Sequence, residues 1–98
     1  MLSKIPFDLS KIDPEDLDKQ ILRIAIIAEL DAINLYEQLA SLTEDENLQA
    51  VLLDIAREEK THVGEFLSML LIKDEEQEEE LEAGEEEISE LLEDEEEN

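Results

Sequence analysis

Residues 13–73 read DPEDLDKQILRIAIIAELDAINLYEQLASLTEDENLQAVLLDIAREEKTHVGEFLSMLLIK, and the fold follows from how this stretch divides. Asp13-Pro14-Glu15 is a helix start, with Asp as N-cap, Pro at the first helical position and an acid in the first turn. Neither Gly nor Pro interrupts the chain from there to about Leu42, and apolar residues recur at helical spacing through Leu22, Ala25, Ile26, Ile33 and Tyr36. Thr43-Glu44-Asp45-Glu46 matches the capping box, which predicts Thr43 as N-cap and Glu46 reaching back to it. A second helix is expected to run from there to about Lys73 through the apolar residues Leu48, Val51, Leu52, Ile55, Ala56, Val63, Phe66, Leu67 and Leu70. Gly64 lies inside it at a cost of about 1 kcal/mol relative to Ala, which close helix packing would justify. So short a loop forces the helices to fold back antiparallel. The expected fold is all-α.

Outside this hairpin the sequence changes character. Residues 1–12 read as an irregular N-terminal arm whose Leu2, Ile5, Phe7, Leu9 and Ile12 are available to dock on a neighbour. Residues 74–98 form an acidic tail or linker that carries 16 acidic side chains and no Lys or Arg, whereas residues 1–73 carry 15 acidic and 7 basic ones. Repulsion between like charges at helical spacing makes disorder the expectation for this tail. The net charge of −24 makes nucleic acid and anionic membranes poor partners and cations the natural ligands. The absence of cysteine excludes disulfides, thiolate metal sites and cysteine nucleophiles. With no apolar stretch of about 18 residues and no secretory pattern at the N-terminus, the expected compartment is the cytoplasm. A chain of 98 residues buries a modest core, for which association is a common remedy.

Two acids stand apart from the solvated majority. Glu29 has Leu22, Ala25, Ile26, Ala32, Ile33 and Tyr36 at its helical-neighbour positions, all apolar or aromatic. Glu59 has Leu52, Ile55, Ala56, His62, Val63 and Phe66 there. A carboxylate centred on an apolar stripe must be protonated, paired or bound to metal once that stripe is covered. His62, the one histidine in the chain, follows Glu59 by three residues and so shares its helical face. Glu29 lies 15 residues before the turn centre near Glu44 and Glu59 lies 15 after it, which sets the three side chains at one height in an antiparallel hairpin. Ferritin-like di-iron bundles use one Glu from each of two helices and Glu-x-x-His from each of the other two. This chain supplies half of that set, so the expected architecture is a dimer of hairpins forming a ferritin-like four-helix bundle. Such an oxygen-rich set suits iron or manganese better than zinc. Tyr36 shares the face of Glu29, as core filler, as a hydrogen-bond partner of a ligand or as an electron donor. Asp31 is expected near the rim, where it can attract incoming cations. The competing expectation is a core His62 salt-bridged to Glu59, with Glu29 paired to Arg57 or Lys60.

The segment Glu29-Leu30-Asp31-Ala32-Ile33-Asn34-Leu35-Tyr36, followed by Arg57-Glu58-Glu59-Lys60-Thr61-His62, resembles the encapsulated ferritins, over roughly residues 15–73. The resemblance implies that Glu29, Glu59 and His62 ligate iron, that two chains share one di-iron ferroxidase centre, and that Tyr36 lies beside it. It further implies a ring of dimers, typically a decamer, with the mineral stored in an encapsulin shell. This sequence departs from the family in carrying Leu35 where relatives have an aromatic. It also has Ala28 where some have an acid, which would leave Asp31 as half of a metal-entry site. Some relatives are fused to the shell protein, so the chain is expected to be either shell cargo or the N-terminal part of a fusion with residues 74–98 as linker.

The leading expectation is thus a ferroxidase that oxidises Fe(II) with oxygen inside an encapsulin nanocompartment. A second expectation is a non-catalytic helical assembly module whose acidic tail binds a basic partner. A third is a hydrolytic di-metal site.

Overall fold

The computed structural model describes residues 8–97 and is all-helical there. A single 3-10 turn, Leu9–Lys11, leads into three helices: α1 (Pro14–Leu42), α2 (Glu46–Lys73) and α3 (Glu75–Glu97). α1 and α2 form the expected antiparallel hairpin, and both begin and end within a few residues of where the sequence signals place them. Of the N-terminal arm at residues 1–12, Leu2, Ile5 and Phe7 lie outside the described residues.

The caps differ from expectation. Pro14 opens α1, but Asp13 makes no side-chain cap to it. At the start of α2 it is Asp45, not Thr43, that caps: its Oδ1 accepts from the backbone N–H groups of Asn47 at 2.9 Å and Leu48 at 3.2 Å. Thr43 instead accepts from the Asp45 N–H at 3.1 Å, shaping the approach to the cap. Asp and Thr both satisfy orphan donors at a helix start, and Asp45 lies one residue before the helix while Thr43 lies two residues further away. Gln49 closes the turn from the other side by donating to the Ala40 carbonyl at 3.1 Å.

The hairpin core is thin. Its buried apolar side chains are Leu22, Ile33 and Ala40 of α1 and Ala56 and Leu70 of α2, and no large side chain among the described residues is fully buried. The surface of 7726 Å² exceeds the roughly 5,700 Å² that a compact monomer of this mass exposes. The radius of gyration, 17.6 Å, likewise exceeds the roughly 13 Å of a compact domain this long. Ile21, Leu30, Leu48, Val51, Leu53 and Met69 are each between 45% and 56% exposed. A single copy leaves much of its apolar surface uncovered.

The expectation of a disordered tail at residues 74–98 is corrected, because Glu75–Glu97 form α3. Glu is a good helix former, acids in the first turn complement the helix dipole, and α3 carries only one glycine, Gly84. Asp74 caps it by accepting from the Gln77 N–H at 3.1 Å. Asp74 is buried, and its other oxygen accepts from Arg23 of α1 at 2.7 Å. The Gln77 amide, the Arg23 hydrogen bond and the nearby Lys19 hold its carboxyl below the usual range, against the opposing effect of burial. Gly64 also departs from expectation, since a methyl group added there would meet nothing within 4 Å in the single chain.

Two tests follow from these contacts. Asp45→Ala should lower the urea unfolding free energy by about 1 kcal/mol, and Thr43→Ala by clearly less; equal losses would return the cap to Thr43. A carboxyl whose pKa is depressed on folding stabilises above its unfolded pKa and loses that stabilisation as pH falls through the folded value. Hydrogen exchange at the first turn of α3 should therefore accelerate as pH drops below the ordinary carboxylate range, after correction for intrinsic rates. In Asp74→Asn it should be fast at neutral pH already.

Candidate metal centre

The hairpin register brings Glu29, Glu59 and His62 together, as the sequence spacing predicts. His62 Nδ1 lies 3.2 Å from Glu59 Oε2 and 3.4 Å from Glu29 Oε2. One ligand atom from each residue falls within 4.8 Å of the others, and all three residues are half-buried. The distances to His62 are longer than the 2.9–3.0 Å typical of a good N–H···O bond, and a single Nδ1 proton can serve only one of the two oxygens. Two donors about 2.1 Å from one ion would stand about 3.2–3.4 Å apart at ligand angles of about 100–110°, so the spacing is compatible with one shared ion.

The cluster lies on a face, not in a closed core. Glu29 and Glu59 each keep 19% of the side chain exposed, and His62 keeps 45%. The hairpin alone therefore half-covers the carboxylates that its apolar stripes were expected to bury. The uncovered side is apolar: Ile21, Ala25, Ala28 and Ala32 follow helical spacing along α1, and Val51, Ile55 and Met69 do so along α2.

The competing ion pairs do not form. Arg57 bonds Asp54 on its own helix at 2.7 Å, a contact that raises its pKa, and Lys60 reaches Glu37 at 3.6 Å. Both cations thus point away from Glu29. The remaining predicted residues take different places. Tyr36 is half-buried on the α1 face that carries Glu29, two helical turns away, and its hydroxyl makes no hydrogen bond among the described residues. Asp31 lies outside the three-residue cluster, since two helical positions turn it to the far side of α1 from Glu29.

Arg23 and Asp74 were missed as a structural pair. Asp74-x-x-Gln77 just before an unbroken helix-forming run has the pattern of a capping signature, and it was the available signal.

An all-helical hairpin with two carboxylates and an imidazole gathered at mid-height has the build of a ferritin-like protein. The comparisons agree. A family model described as EncFtn-like matches residues 7–94, and the chain belongs to that family. It is 56% identical over 93 residues to the ferritin-like-encapsulin shell fusion protein of Pyrococcus furiosus, covering 93% of this chain and 27% of that relative. The chain thus spans about a quarter of that relative's length. The crystal structure of the encapsulated ferritin domain from Pyrococcus furiosus superposes with a TM-score of 0.79 at 55% identity, covering 93% of this chain and 95% of that one. The resemblance to encapsulated ferritins carried by the Glu29–Tyr36 and Arg57–His62 segments is borne out.

Calorimetric titration with Co(II), a surrogate that air does not readily oxidise, checks the cluster's capacity to hold a metal. Native protein should bind and its melting temperature should rise with cation concentration, as linkage requires. Glu29→Ala, Glu59→Ala and His62→Ala should each lose the tight isotherm and the rise. Unchanged isotherms in all three would place the metal elsewhere.

Proposed function

We propose that this protein is a ferroxidase whose centre is completed by a second copy. The observation that carries the proposal is the convergence of Glu29, Glu59 and His62 within 4.8 Å on an open apolar face of the hairpin. Pairing that face with its counterpart buries the exposed apolar side chains and gathers four carboxylates and two imidazoles between four helices. Two cations at the seam would offset the carboxylates' charge, which neither Arg57 nor Lys60 does.

The chemistry then follows from the donor set. Carboxylate oxygens stabilise Fe(III) over Fe(II) and can bridge two ions, so both lose an electron within one site. Two Fe(II) give up two electrons, and O₂ takes them with two protons to form hydrogen peroxide. Iron is substrate here, and the ferric product leaves for storage. Glu29, Glu59 and His62 hold the ions, and Tyr36 stands on the same face of α1 as a hydrogen-bond partner or electron donor. Asp31 lies on the outer side of α1, where its charge draws cations toward the bundle.

The relatives' descriptions support the proposed location. One is a fusion of a ferritin-like part with an encapsulin shell, and another is an encapsulated ferritin domain. The proposed setting is the interior of an encapsulin nanocompartment in the cytoplasm, with the shell protein as partner. Paired hairpins arranged in a ring, a decamer in the arrangement the family resemblance implies, would deliver ferric iron to the shell's lumen. In this setting residues 13–73 are the ferritin-like unit, and residues 74–98 connect it to its surroundings.

The test is a stopped-flow titration of metal-free protein with Fe(II) in air, followed by ferric absorbance. Native protein should oxidise Fe(II) well above the buffer background, saturating at two Fe(II) per two chains. Glu29→Ala, Glu59→Ala and His62→Ala should each lower the initial rate at least tenfold. Native rates in all three variants would refute the assignment.

A further inference from the structure

α1 has an outer side, turned neither to α2 nor to the metal cluster. A helical turn of about 100° per residue lines up Leu17, Ile24 and Asp31 there, with Ala28 and Leu35 along the border of the row. The row stands opposite Leu22, Ile33 and Ala40, the residues that α1 buries towards α2. All of its side chains are half-buried. Elsewhere on the same helix, Ile21, Ile27, Leu30 and Leu39 stay between 40% and 49% exposed.

No element among the described residues accounts for that difference. α3 packs chiefly against α2, and its start is tied to α1 at Arg23, which is off this row. The 3-10 turn Leu9–Lys11 precedes α1, whereas Ala28, Asp31 and Leu35 lie about four to six turns along it. The charge of Asp31 poses the same question. Asp31 is engaged, not free. Yet Arg23, Arg57, Lys60 and Lys73 hold Asp74, Asp54, Glu37 and Asp18, and Lys19 lies beside Asp74.

One stretch of the chain has the chemistry, length and direction to cover the row. Residues 1–7, MLSKIPF, set Leu2, Ile5 and Phe7 around a single cation, Lys4. Pro6 donates no backbone hydrogen bond and biases Ile5 to extended backbone, so the stretch suits a strap better than a helix. Seven extended residues span about 23 Å, and α1 rises about 21 Å from Leu17 to Asp31. The chain also turns back just before α1. Asp8 Oδ1 accepts from the Ser10 N–H at 2.9 Å and the Ser10 hydroxyl at 2.7 Å, and the Asp8 carbonyl accepts from the Lys11 N–H at 3.1 Å. A turn there lets the preceding residues run back along the helix, antiparallel to it.

We infer that residues 1–7 dock as an extended strap on the outer side of α1, with apolar side chains over Ile24, Ala28 and Leu35 and Lys4 on Asp31. The strap shields apolar surface that neither α2 nor a metal-sharing copy would cover. It also makes Lys4 the ion that an incoming metal must displace at Asp31, which ties the strap to the cation-drawing role proposed for that acid. The docking itself does not depend on the ferroxidase reading.

Because the chain has no cysteine, disulfide trapping is a clean test on the purified full chain, kept metal-free. Ile5→Cys combined with Ile24→Cys or with Ala28→Cys should close an intrachain disulfide under mild oxidation in at least one of the two pairs. The product is read as a linked peptide from a band of single-chain mobility. Ile5→Cys with Leu53→Cys, level with Leu35 but on α2, should not close. Lys4→Glu should slow the linking about fivefold, and adding Asp31→Lys should restore it. Restoration excludes misfolding as the cause of the loss. The inference is overturned if neither α1 pair links, if Leu53→Cys links as fast, or if links form only between chains. It is equally overturned if Lys4→Glu leaves the rate unchanged or Asp31→Lys fails to restore it. No metal enters the experiment, so its outcome is read separately from the Fe(II) oxidation that tests the ferroxidase proposal.

Discussion

Two carboxylates placed at the centres of apolar stripes set the terms for the rest of this structure. A charged oxygen withdrawn from water is tolerated only against a compensating charge and hydrogen bonds. The hairpin supplies His62, within 3.4 Å of both Glu29 and Glu59, and directs Arg57 and Lys60 to other acids. One imidazole cannot offset two carboxylates, whereas the proposed divalent cation would match their charge. The same constraint explains the short turn. Asp45 and Gln49 hold α1 and α2 in a register that puts residues 15 positions either side of Glu44 at one height.

A thin core is the natural companion of such a site. Packing α1 against α2 buries Leu22, Ile33, Ala40, Ala56 and Leu70 and little else fully. At about 25 cal/mol per Å² of apolar surface removed from water, the half-exposed rows on both sides of the hairpin represent a strong drive to associate. A hairpin that kept its carboxylates in a closed core would have no route for cations; one that leaves them on an open face would take its enclosure from the proposed second copy.

Much of this was legible in the sequence because helix periodicity and caps are local signals. The limits of α1 and α2, their antiparallel pairing and the meeting of Glu29, Glu59 and His62 all follow from spacing. What was not legible depended on competition between similar signals. Thr43 and Asp45 are both good caps, and adjacency to the first helical residue decided for Asp45. In residues 75–97, like-charge repulsion argued for disorder, while Glu propensity and the Asp74 cap, with its tie to Arg23, favour helix. That tie spans 51 residues of sequence, which no local pattern encodes. Gly64 misled in the opposite sense: the close approach it suggested is absent within one chain, because its face turns outward.

Anomalous X-ray scattering at the iron edge, on crystals of the assembled protein soaked anaerobically with Fe(II), tests the central claim most directly. The account predicts two strong peaks a few ångströms apart on the seam between two copies, each within bonding distance of Glu29, Glu59 or His62 from both chains. A seam without iron under excess ferrous salt, with Glu29 and Glu59 satisfied by His62 or by protons alone, would contradict it.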